Sequence, residues 1–380
     1  MRIRNFELPL LVAVALFAFA GGLLLPRLWP LLPAVHVHLA LAVGVMPLIF
    51  GAMRHFIPVL TRGGEGRGLA LLPFAAMGAG MLAVGMFVRG ELFSPGLPVA
   101  AAIAWAAAAV LAAWALRRGR AMLGSPHPGL HWYVAALLCL MLALLAVAAM
   151  PVWPGERLAL KRFHLHLNLL GFVGLTALGT LQVLLPTAAG RFDPGAALRL
   201  RQDLPWAVAG VLLTAVGAAW WPPLAWLALA AWGKVLWRLG REWWAAYQQE
   251  LRAFHGAVPS LGLSAVGLAA ALAAGGAQAG GAASATGAAH LFILGFLFPL
   301  VTGAAGQLLP LWLRPGRQTE WHEQARRRLT HWAGLRAAVF LAGGLAVLGG
   351  WPGGFFLALL GLVHFAAGVA AVAAKRPQTG

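Results

Sequence analysis

Acidic residues are the scarcest chemistry in this chain: ten Asp and Glu stand against 28 Lys and Arg in 380 residues. Charged residues of both signs make up only 10% and hydrophobic residues 61%, too little polar surface to wrap a soluble core of this size. The composition is that of a polytopic membrane protein, read as a single membrane domain over residues 1–380 with loops too short for a further soluble domain. All ten carboxylates (Glu7, Glu65, Glu91, Glu156, Asp193, Asp203, Glu242, Glu250, Glu320 and Glu323) are expected in loops or at helix ends. That placement excludes a paired-carboxylate site and an acidic proton relay at mid-membrane. The single cysteine, Cys139, lies inside an apolar run; it excludes an internal disulfide and a Cys-x-x-Cys-His haem attachment, and reads as a small packing residue. The net charge of +18 would point to nucleic acid in a soluble protein, but here the basic residues lie in short loops between apolar runs. They are topology signals, so the expected partner is the lipid bilayer and not nucleic acid.

Runs of about twenty apolar residues, broken by glycine, proline and arginine, predict twelve spans centred near Ala18, Met46, Met81, Val110, Leu140, Leu175, Leu212, Leu229, Leu268, Leu300, Phe340 and Leu362. With the first span leaving from the inside, only Arg27, Arg89, Arg157, Lys161 and Arg162 of the 28 basic residues fall outside. That asymmetry predicts an inner (cytoplasmic) membrane location with both termini cytoplasmic. The basic start and the Ala18-Phe19-Ala20 stretch resemble a signal-peptidase site, but the run continues apolar to Leu32 and reads as a crossing segment. Tryptophans at span ends (Trp29, Trp153, Trp220, Trp221, Trp243, Trp244, Trp312, Trp351) form an aromatic belt. The stretch from Trp237 to His255 fits either an interfacial amphipathic segment or a long end to the eighth span.

One pattern occurs three times. The segments from His36 to Arg62, His164 to Arg191 and His290 to Arg314 align on His38, His166 and His290. A glycine follows thirteen residues later in each (Gly51, Gly179, Gly303) and a proline twenty later (Pro58, Pro186, Pro310). Trp105 and Arg120 recur as Trp226 and Arg241, and His131 recurs as His255. Three matches about 125 residues apart predict three parallel four-helix pseudo-repeats, 1–125, 126–250 and 251–380, related by an axis along the membrane normal.

The repeated histidines fall near the outer ends of spans 2, 6 and 10. Ionisable residues there are costly enough to mark function, and neutral imidazole suits haem iron, copper or zinc. His36 and His38, like His164 and His166, are two apart and differ by about 200° around a helix, so each pair serves two neighbouring sites and not one. The repeated glycines admit either a flat macrocycle or a second helix. His55, His127, His131, His255, His322 and His331 are expected near the inner face, in solvent or among headgroups; His364, inside the twelfth span, suits core packing and a second polar site equally.

Twelve helices in three parallel units with histidines on spans 2, 6 and 10 resemble the catalytic subunit of the haem-copper oxidase superfamily. In that family helices 2 and 10 hold a low-spin haem, and a His-x-His motif on helix 10 also supplies a ligand to a second haem. This chain departs from it: the His-x-His pairs fall on spans 2 and 6, the seventh span has no histidine pair, and only Tyr133 and Tyr247 exist as tyrosines. Oxygen reduction is therefore not expected. The stretch after His166 ending Pro186-Thr187-Ala188-Ala189-Gly190-Arg191 is similar to the ending of a histidine helix in the NnrS family, twelve-helix haem- and copper-containing proteins linked to nitric oxide stress; that family's histidine before the Gly-Arg is missing here.

The resemblance implies haem b, with copper as a second cofactor, and an oxidoreductase acting on nitric oxide or a related small molecule. It pairs His290 with the His36/His38 dyad for a low-spin haem, leaving His164, His166 and the second span 2 histidine for a copper ion or another haem. Electrons would come from quinol or a separate donor, since no soluble cytochrome segment is present. The same histidines would also serve a copper or haem transporter or chaperone. A homo-oligomer is compatible with either reading.

Overall fold

The structure is a computed structural model describing residues 7–29, 31–64, 68–92 and 94–374. The described residues are helical and contain no strand, as an apolar chain must be when every backbone polar group has to be satisfied without water. Ten helices are long and apolar enough to cross a membrane: Glu7–Leu25, Pro33–Leu60, Gly96–Ala121, Gly129–Ala149, Pro154–Ala188, Ala196–Ala219, Ala257–Ala279, Ala285–Leu313, Glu320–Leu348 and Gly354–Ala373. Two other helices coincide with expected spans but differ from these. Leu72–Val88 is apolar but only 17 residues long, and Leu224–Leu251 carries Lys234, Arg238 and Arg241 along its length.

Local chemistry sets the helix limits. Pro33, Pro73 and Pro154 stand in first turns, where a missing N–H costs nothing. Gly90 closes Leu72–Val88 with φ 75°, a left-handed conformation that glycine adopts without a Cβ clash. The Trp237 to His255 stretch is mostly the continuation of one helix to Leu251, with a kink at Tyr247 (φ −130°, ψ 25°).

The chain divides into two compact units. One comprises Leu10–Thr180 and Pro194–Val235; the other comprises Leu181–Asp193, Leu236–Gly380 and the described part of Met1–Pro9. These limits do not coincide with the expected repeat ends near 125 and 250.

Within the first unit Gly96–Ala121 packs on both Leu72–Val88 and Gly129–Ala149, and Arg157–His166 packs on Ala196–Ala219. Trp132 is fully buried there, and its indole N–H donates to Leu200 O (2.9 Å). In the second unit Ala257–Ala279 packs against Phe298–Leu313 and Ala333–Leu348, which in turn packs on Gly354–Ala373.

The structure corrects three expectations. Asp203 is not at a helix end: it is the eighth residue of Ala196–Ala219 and fully buried, one turn from the buried Arg199. The polar stretch around Arg199 and Arg201 continues the helix, and Pro205 is accommodated within it. Trp243 and Trp312 are buried, whereas the other belt tryptophans are exposed, because these two face helix neighbours and not the periphery. His322 is also buried: Thr319 N donates to its Nδ1 (3.0 Å) and its Nε2 donates to Arg314 O (2.8 Å), so it caps the Glu320–Leu329 helix. Glu65, in a loop by sequence, lies outside the described residues.

Candidate functional site

Each of the three histidine helices is interrupted at the same place. A π-helical turn runs over Leu39–Val45, directly after His38; another over Leu167–Gly174, directly after His166; and a third over Phe292–Leu297, two residues after His290. Hydrogen bonding widens there, so that Met46 N reaches Leu41 O, Leu175 N reaches Leu170 O and Phe298 N reaches Ile293 O. Such a turn holds about one residue more than an α-turn, which rotates all that follows by roughly 100° relative to a straight helix. π-turns inside α-helices concentrate at functional sites.

A small residue of a neighbouring helix packs against each of these turns. A Cβ on Gly80 would collide with Ala42 O, and one on Gly267 with Gly295 O. At the middle turn a Cβ on Gly171 would lie 2.6 Å from the Cys139 Cβ. Cys139 is thus a small buried packing residue of the first unit. The repeated glycines also serve helix packing: a Cβ on Gly179 would lie 2.7 Å from the Trp132 Cβ, and one on Gly303 would lie 3.1 Å from Ser260. Of the two readings of these glycines, close helix approach is the one seen at both.

In the first unit two repeat histidines come together, and they are not the two that align. The His38 and His164 rings stand 6.3 Å apart, centroid to centroid, with their planes within 10°. The same nitrogen anchors each ring. His38 Nδ1 is 2.8 Å from Ala34 O and His164 Nδ1 is 2.9 Å from Ala143 O. A carbonyl oxygen can only accept, so Nδ1 carries the proton, and in the neutral ring Nε2 is left with its lone pair. Asn168 Nδ2 lies 3.3 Å from His164 Nδ1 but 2.8 Å from His164 O; since Nδ1 is already a donor, the bond to the carbonyl is the real one. Phe87 packs on His38 with centroids 4.7 Å apart.

His166 is anchored identically, through Nδ1 to Arg162 O at 2.8 Å, but its ring contacts neither His38 nor His164. His36 also lies apart, with a buried Nδ1 that has no hydrogen-bond partner among the described residues. All four rings are half-buried. His290 belongs to the other unit, where its ring meets Phe355 edge-on at 4.9 Å. Among the described residues no three His, Cys, Asp or Glu side chains converge as a metal-ligand group, so the three-nitrogen copper set expected from His164, His166 and a span 2 histidine is not brought together. What does come together is one pair of anchored rings, His38 and His164.

No protein-family model matches the chain, and no curated protein matches it. The chemistry of the site therefore rests on its own residues.

The π-turns and the His38–His164 pairing went unread in the sequence. A pairing that crosses the repeat alignment by two positions is invisible to spacing. The turns had one faint trace: each follows a repeat histidine and contains a glycine or alanine where a neighbour crosses (Ala42, Gly171, Gly295).

Proposed function

We propose that this protein is a haem-binding integral membrane protein with a redox or nitric-oxide-handling role, and that His38 and His164 are ligands to one iron. The observation that carries the reading is the anchored, near-parallel imidazole pair. Metal-ligating histidines characteristically donate their second ring nitrogen to a carbonyl or carboxylate, which sets both tautomer and ring orientation. The two rings, 6.3 Å apart between centroids and nearly parallel, are close enough that one ion would be held by both.

The donor count supports haem as the cofactor. A haem iron draws four ligands from its macrocycle and needs only two from protein, the number that converges here. A copper(II) centre takes further nitrogen, oxygen or thiolate ligands, and none joins the pair among the described residues. When bound, the group would supply one-electron chemistry; the protein's part is to hold two neutral nitrogens in place and exclude water. The two-nitrogen set also suits a weaker second reading, a copper or haem transporter, in which the same nitrogens hold their cargo transiently.

Around this site we place twelve crossing helices, counting Leu72–Val88 and Leu224–Leu251, in three parallel four-helix units. The triplicate π-turns following the triplicate histidines support a common origin for the units. An inner-membrane location with cytoplasmic termini is supported by the distribution of arginine and lysine.

The deciding experiment is an optical spectrum and a haem and metal inventory of protein purified from haem-supplied cells. A haem band lost in both His38→Ala and His164→Ala is the expected result. Colourless protein with rapidly exchanging copper favours the transporter, and protein with neither removes both readings.

A further inference from the structure

The unit that contains Leu236–Gly380 buries an arginine with no carboxylate beside it among the described residues. Arg336 is 3% exposed in the first turns of the apolar helix Ala333–Leu348. Its guanidinium reaches His364 Nδ1 (3.3 Å) and Leu329 O (3.4 Å), and its carbon lies 4.9 Å from the centre of the Phe365 ring. Its Nε is buried with no hydrogen-bond partner. No Asp or Glu pairs with it among the described residues. A guanidinium does not give up its proton in a protein, so a buried charge of this kind calls for a counter-anion.

The ring beside it presents an N–H group. Because Arg336 can only donate, His364 Nδ1 accepts, and the neutral ring carries its proton on Nε2. The same holds for His255, whose Nδ1 accepts from Trp332 N at 3.0 Å. His255 stacks on His331, centroids 4.9 Å apart. His255, His331 and His364 are all exposed, and His364 shares its outward face with Leu360 and Val363. The backbone that carries them is tied down: Gly256 N donates to Thr330 O (3.1 Å), Gly334 N to Phe254 O (3.0 Å), and Trp332 is held at φ 51°, a conformation costly for a tryptophan. Arg328, exposed one turn away, adds positive charge.

We propose that Arg336, His364 and the His255–His331 pair bind the phosphate of an anionic phospholipid. A buried cation behind exposed N–H donors fits a phosphate oxygen, and the apolar residues flanking His364 give acyl chains a surface that free phosphate would not use. By charge distribution this end faces the cytoplasm, the side on which anionic headgroups attract basic segments.

The test is native mass spectrometry of full-length protein released from vesicles of phosphatidylcholine mixed with phosphatidylglycerol. Wild type should retain phosphatidylglycerol in preference to phosphatidylcholine by about tenfold, the scale of one charge-assisted hydrogen bond. Arg336→Gln should abolish the preference and Arg336→Lys should keep part of it. If Arg336→Gln does not fold, His364→Leu, at an exposed position, decides: a several-fold drop supports the site and an unchanged preference overturns it. Equal retention by wild type and Arg336→Gln also overturns it. Loss of bound lipid on adding inorganic phosphate to wild type would assign the site to a free anion and overturn the lipid assignment.

Discussion

The two histidine groups of this chain hold their protons on opposite nitrogens. At His38, His164 and His166 the Nδ1 donates to a backbone carbonyl, which leaves Nε2 as a lone pair. At His127, His255, His322 and His364 the Nδ1 accepts, from Gly129 N, Trp332 N, Thr319 N and Arg336, so Nε2 carries the hydrogen. One residue type thereby offers two chemistries. A free lone pair suits a cation, a free N–H an anion or a backbone acceptor. Which one a histidine belongs to is set by the group facing its inner nitrogen, not by its own identity or depth in the chain.

The sharpest break of this contrast is direct. His38→Ala and His164→Ala should each lower haem retention tenfold or more, by the order of effect seen when a metal loses a ligand or its orienting partner, while His364→Leu leaves the absorption band unchanged. Equal loss in all three variants would show that the tautomer distinction has no bearing on ligand binding.

π-turns follow His38 and His166 of the first group, and His290, but no histidine of the second group, which provides a second test. Gly267→Ala would press a methyl into Gly295 O, where backbone cannot yield as a side-chain end can, and should cost about 1–3 kcal/mol of stability. Gly233→Ala meets nothing within 4 Å; it should be neutral or stabilising by up to about 1 kcal/mol. Thermal inactivation in the same detergent would rank the two. Gly80→Ala presses on Ala42, in the turn that follows His38, and should perturb the haem band as well as stability.

A smaller effect is expected at Asn168, whose side chain donates to His164 O at 2.8 Å. Asn168→Ala leaves the ring's own anchor intact, so haem affinity should fall only several-fold, read from haem transfer to an apo-acceptor protein; a loss as large as that of His164→Ala would make Asn168 the principal orienting group.

The smallest effect concerns pH. His127 lies in the loop before Gly129–Ala149, where burial first and the nearby positive charge of Arg201 second hold its pKa below the ordinary histidine value. The unfolded chain then takes up a proton at higher pH than the folded one, so this residue lowers stability as pH falls below about 6.5, levelling out beneath the depressed value. The bond from Gly129 N to its Nδ1 (3.2 Å) is lost on protonation. His127→Gln should flatten the stability profile below neutral pH by a modest amount, and a slope identical to wild type would place the acid sensitivity elsewhere.

Much was legible from residues alone, for a physical reason in each case. The membrane class and the helix positions follow from apolar run length, because a helix is the only way a single segment can satisfy its backbone in lipid. The triplicate histidine pattern and the packing role of Cys139 were equally plain. Other features depended on neighbours distant in sequence. Asp203 and His322 look like solvated polar residues until Ala196–Ala219 and the Thr319 cap enclose them. The spacing of His38, Gly51 and Pro58 could not be turned into faces with a uniform 3.6-residue period, since a π-turn intervenes. Nor could spacing select His164 over His166 as the partner of His38: all three rings are anchored alike through Nδ1, and only helix packing brings the His164 ring to 6.3 Å from that of His38. Composition and periodicity therefore determined that this chain enters a membrane as helices bearing histidines at repeated positions. Only the packed structure decided which imidazoles meet and which nitrogen each one offers, because a ring's tautomer belongs to the hydrogen bond it makes and not to the residue that carries it.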